Sequence, residues 1–105
     1  MIVRIWHGYT TKENADAYAQ LVKSKIFREI EIKSGDGFLG AQLLKREMAE
    51  EVEFTTMIWF RDLEAIKELT GEDYETAYIP KEARNLLSRF DSKVTHSHLL
   101  YSSVE

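Results

Sequence analysis

The chain has 105 residues, 44% of them hydrophobic and 11% aromatic, with a single Pro and no Cys. Fourteen basic against 18 acidic residues give a net charge of −4 and no basic run, which removes the main support for nucleic-acid binding through phosphates. The absence of Cys excludes disulfides and thiolate metal sites and fits a cytoplasmic setting; no apolar stretch nears the ~20 residues of a membrane span, and the N-terminus shows no signal-peptide pattern. The length fits one domain, spanning residues 1–105, with no repeat, linker or low-complexity tract.

In chain order, Ile2 to Tyr9 is rich in β-branched and aromatic residues and reads as a strand. Thr10-Thr11-Lys12-Glu13 has the form of a capping box for a helix that runs to about Ile32. Ala15, Tyr18, Val22, Ile26 and Ile30 make its apolar stripe. Ser34-Gly35-Asp36-Gly37 ends it. Phe38 to Glu47 and Glu51 to Arg61 read as a hairpin, and Asp62 caps a short helix closed by Gly71. Glu72–Ile79 has no clean period. Pro80 suits the first turn of another short helix, with Ala83, Leu86, Leu87 and Phe90 facing inward; Asp91 to Tyr101 reads as the last strand and Ser102–Glu105 as a free tail.

The order strand, helix, two strands, helical region, strand is the α+β ferredoxin-like βαββαβ plan, an antiparallel sheet with its helices on one face. The other face should then be polar if it meets water. It is not, on either parity. Strand three carries Val52, Phe54, Ile58 and Phe60 on one side and still has Met57 and Trp59 on the other; strand one divides into Val3, Ile5, His7, Tyr9 and Ile2, Arg4, Trp6. Strand two gives Leu39, Ala41, Leu43 against Phe38, Gln42, Leu44. A second apolar sheet face calls for a cover, most simply an identical chain, so a homodimer is expected.

Candidate chemistry centres on three histidines, His7, His96 and His98. His96 and His98 share one face of the last strand, and the fold makes the first strand its neighbour, which places His7 within reach of the pair. Such a set offers a base near pH 7 or a metal site; with no carboxylate at ligand spacing, structural or ligand-contact roles are the expectation, with no metal and no cofactor. Trp6 and Trp59 are core residues or a cavity wall. Tyr74 and Tyr78 fall in the least regular segment, where hydroxyls can bind a polar substrate, and Arg84 is either an anion contact or a solvated charge.

Several stretches resemble the antibiotic biosynthesis monooxygenase-like family: Arg4-Ile-Trp6-His-Gly8-Tyr-Thr10, Glu51-Val-Glu53-Phe54 leading to Trp59-Phe60, and Gly71-Glu-Asp73-Tyr74. Ile79-Pro80-Lys-Glu82-Ala83-Arg84, Phe90-Asp91 and Val94-Thr-His96 extend the resemblance over nearly the whole chain. It implies a dimeric α/β barrel, two ferredoxin-like protomers packed sheet to sheet. It also implies a cofactor-independent monooxygenase that oxidises a small aromatic phenol or quinol. In that reading His96 and Trp59 are the candidate catalytic residues, and His7, Trp6, Tyr74, Arg84 and His98 the candidate substrate contacts. The competing reading is a small-ligand-binding or regulatory homodimer without catalysis on the same fold. Haem-degrading relatives resemble a pattern with Asn on strand one and His on the helix after strand three; residues 62–70 hold no His and strand one no Asn.

Overall fold

A computed structural model describes residues 1–104; Glu105, placed in the tail from the sequence, lies outside the described residues. Strand β1 (Ile2–Thr10) leads into a long helix built from α1 (Ala15–Leu21), a wide π-turn (Val22–Ile26) and α2 (Phe27–Ser34). A 3₁₀ turn (Gly35–Gly37) precedes β2 (Phe38–Glu47) and β3 (Val52–Phe60). The chain continues through α3 (Leu63–Thr70), α4 (Lys81–Leu86), β4 (Leu87–Phe90) and β5 (Thr95–His98). The sheet is antiparallel in the order β2-β3-β1-β4, with β5 also on β1, so the expected α+β ferredoxin-like arrangement is present.

Three local readings are corrected. The capping box does not form, because Thr10 belongs to β1 and its buried hydroxyl donates to the Leu86 carbonyl. Thr11 Oγ1 instead accepts the Asn14 N–H at 3.1 Å, and the helix starts at Ala15. Leu87 and Phe90 are strand, not helix: six residues give too little helix to persist against pairing with the open edge of β1. The last strand is also divided. Between β4 and β5 the chain leaves β1 and pairs with residues 75–77, through Thr76 opposite Lys93 and the Val94 N–H donating to Glu75 O at 2.7 Å.

One face of the sheet carries the helices. Ile2, Arg4, Trp6, Gly8 and Thr10 of β1 lie on it beside Phe60, Ile58, Thr56, Phe54 and Val52 of β3. A bulge between Phe38 and Gly40 turns Phe38 to the same face as Ala41 and Leu43 and leaves Leu39 half exposed. The core forms two clusters, Ala15, Tyr18, Val22, Val52, Phe54 and Ala83 in one and Ile2, Ile58, Phe60, Ala65 and Ile66 in the other. Asp62 caps α3 by accepting the Ala65 N–H at 2.9 Å, as its place in the sequence implies.

The second cluster depends on close approach of α3 to the chain before β2. A Cβ on Gly37 would stand 2.3 Å from Ala65 Cβ, whereas one on Gly40 would meet nothing within 4 Å. In urea titrations Gly37→Ala should therefore lower the unfolding free energy by about 1–3 kcal/mol, the usual cost of overpacking, and Gly40→Ala should leave it within about 0.5 kcal/mol of wild type.

Candidate functional site

The helix layer does not close completely on the sheet. A cavity of about 380 Å³ remains between β1, β3, the long helix and the irregular segment 71–80. Its walls are largely apolar and aromatic, from Trp6, Tyr18, Val22, Phe27, Ile58 and Ile79 among others. The π-turn shapes this wall. Because the Phe27 N–H reaches back to Val22 O, the helix changes phase there, and Val22, Ile26, Phe27 and Ile30 all contribute to the cavity.

Arg4 is the exception in that wall. It lies on the helix-facing side of the central strand, and no carboxylate among the described residues is within ion-pair distance of it. Its Nη1 donates to Tyr74 O at 2.7 Å and to His96 Nε2 at 2.9 Å. Burial pushes the guanidinium down to about 10, so it remains charged at neutral pH. The Tyr74 ring meets the His96 imidazole edge-on at 5.5 Å, completing a bracket that holds Arg4 in place.

His96 must be neutral at Nε2 to accept from a guanidinium. Partial burial, reinforced by the Arg4 charge, lowers its pKa below the ordinary 6.5, while Glu75 opposes the shift. Trp6 is fixed differently: its indole N–H donates to Asp91 O at 2.7 Å, and its ring occupies the space a Cβ on Gly8 would need, 2.9 Å from Cη2. The break between β4 and β5 supplies that carbonyl.

Of the residues singled out from the sequence, Trp6 and the exposed Tyr78 line the cavity, and His96 and Tyr74 reach it through Arg4. His98 is exposed beside Ile2 at the edge of the same sheet face. Arg84 is exposed on α4, away from the cavity wall. His7 and Trp59 stand on the opposite face of the sheet, so His7 does not approach the His96–His98 pair; it bonds Asp91 Oδ2 at 2.8 Å instead. Among the described residues no group of three or more His, Cys, Asp or Glu side chains is arranged to hold a metal ion.

Two residues outside the candidate set belong to the site. Arg4 shares a parity with Trp6 on a central strand, where a buried Arg demands a partner. Tyr18 was hidden within the apolar stripe of the long helix.

The fold and its cavity define a ferredoxin-like α+β protein with a pocket between sheet and helices. No protein-family model and no curated protein matches the chain. Among solved structures it is similar to a Bacillus cereus protein described as a "putative antibiotic biosynthesis monooxygenase", with a TM-score of 0.65 and 12% identity over 99% of this chain and 97% of that one. At that identity the likeness is one of fold, and it agrees with the resemblance drawn from the sequence.

The Arg4–His96 contact has a direct spectroscopic consequence. In an NMR titration the His96 midpoint should lie below 6.5, and Arg4→Met should raise it by removing one of the two lowering causes. Unfolding frees His96 to protonate at its ordinary pKa, so stability from this residue is present above about 6.5 and falls as pH drops toward the folded midpoint. A wild-type midpoint at or above 6.5 would contradict the contact.

Proposed function

We propose that the cavity binds a small hydroxylated aromatic metabolite, with an acidic oxygen of that molecule as its anion on Arg4. The observation that carries this reading is the half-buried guanidinium with no carboxylate partner at an aromatic cavity wall. A buried charge is costly unless paired, and an anionic ligand supplies the missing partner. Glu29, Lys33 and Asp73 also line the cavity but are exposed, and their mixed signs leave the half-buried Arg4 as the anchor.

The reaction that fits this pocket and the fold likeness is a cofactor-independent monooxygenation. For an anthrone-type substrate, a CH₂ group and O₂ yield a C=O group and water: one oxygen atom enters the product, the other leaves as water, and the substrate supplies all four electrons. Arg4 favours the enolate form from which an electron passes to O₂, and the apolar wall keeps bulk water from that anion. His96 and Tyr74 serve as positioning residues for Arg4, and Trp6 as the aromatic wall. The cytoplasmic setting expected from the composition suits such a metabolite, and no helix among the described residues is long and apolar enough to cross a membrane.

The opposite sheet face supports a homodimer. Ile5, Met57 and Trp59 lie there half-buried, beside Leu44 at 45% exposure. Packing two such faces buries His7 and Trp59 at the interface, so these residues act in assembly rather than in the pocket.

Oxygen uptake with a panel of anthrones and quinols tests the oxygenase reading. Turnover by the wild type and a loss of about 10²-fold or more in Arg4→Met are expected, on the scale of removing an oxyanion stabiliser. Ligand binding without oxygen uptake would leave a non-catalytic binding protein instead. Light scattering should give a dimer for the wild type and a shift toward monomer for Leu44→Glu, with secondary structure unchanged.

A further inference from the structure

Tyr18 is buried to 2% exposure in the cavity wall, with its ring packed on Phe54 at a centroid distance of 5.0 Å. Among the described residues its hydroxyl has no hydrogen-bond partner, although Arg4, Trp6 and Thr10 beside the same core are all bonded. That hydroxyl is nevertheless not sealed off, since no fully buried side-chain oxygen or nitrogen is left without a partner. The space it reaches is the cavity that Tyr18 lines. Burial raises its pKa well above the ordinary 10, which keeps the O–H protonated and able to donate. Two other cavity-wall hydroxyls lack a protein partner among the described residues, but Thr56 is only half-buried and Tyr78 is exposed.

A phenylalanine would fill this position without desolvating a hydroxyl, so the packing alone gives no reason for a tyrosine. Arg4 and Tyr18 come from different layers, β1 in the sheet and α1 above it. Both line the cavity.

We propose that Tyr18 is a specificity-determining residue that hydrogen-bonds a second oxygen of the ligand while Arg4 holds the first. The ligand class is accordingly a bifunctional aromatic: an acidic oxygen at one end of the ring system and a hydroxyl or carbonyl at the other. This inference rests on the cavity being the binding site, as proposed above. A site with a buried hydroxyl waiting for a partner discriminates against an analogue that lacks the matching group, because the hydroxyl is then left unpaired.

The test uses two fluorescent probes, 6-hydroxy-2-naphthoate and 2-naphthoate, titrated into the full-length protein. Wild type should bind the hydroxylated probe about fivefold to tenfold more tightly, the range of one net hydrogen bond. Tyr18→Phe should bind both probes equally, with 2-naphthoate affinity kept, and should melt no lower than wild type because no protein hydrogen bond is lost. Arg4→Met should weaken both probes. If wild type binds both equally and Tyr18→Phe changes nothing, the role of Tyr18 is overturned while the cavity reading stands. If wild type binds neither, both fail. A Tyr18→Phe protein that keeps the preference while Thr56→Val loses it would move the second contact to Thr56 and overturn the assignment to Tyr18.

Discussion

A single charged side chain on the central strand faces the helix layer of this protein. The helix-facing side of β1 places Arg4 between Ile2 and Trp6, in line with otherwise apolar neighbours. Burying a guanidinium without a carboxylate is unfavourable unless its donors are met, and the surrounding elements meet them. Tyr74 supplies a carbonyl and His96 an unprotonated nitrogen, both from segments distant in sequence. The last strand and the irregular segment 71–80 are thereby brought to one point beside β1.

The irregularities of the fold make sense around that point. The π-turn rephases the long helix so that four apolar side chains face the cavity. The break between β4 and β5 frees Asp91 O to fix the Trp6 indole and lets residues 92–94 pair with residues 75–77, of which Thr76 and Ala77 line the cavity. Regular structure in either place would fill the space with core side chains or strip Trp6 of its partner. Departures from regularity often mark functional sites, and here two of them border the same cavity.

Much of the architecture was legible in the residues. Period-two runs gave β1, β2 and β3 nearly to the residue, and Asp62 with Gly71 bounded α3. The misplaced features have physical causes. Thr10 looks like a cap, but in β1 its hydroxyl finds a carbonyl at the end of α4, a tertiary partner that no local pattern reveals. Leu87 and Phe90 keep helical spacing, yet an unpaired strand edge claimed their backbone. For the site, alternation along a strand shows which residues share a face but not which strands' faces coincide. Trp6 and Trp59 therefore looked equivalent while lying on opposite sides of the sheet, as do His7 and His96. The deeper clue was the odd charge at Arg4, and reading it required knowing that no acid lay opposite.

Arg4 is held without a carboxylate partner, ready to receive an anion. A crystal structure of the protein with bound 2-naphthoate would show this. The carboxylate should lie within hydrogen-bond distance of the Arg4 guanidinium, with the rings against Trp6 and the contacts from Arg4 to Tyr74 and His96 intact. A naphthoate seated elsewhere in a fully occupied complex, with the Arg4 guanidinium contacting only protein and water, would contradict it.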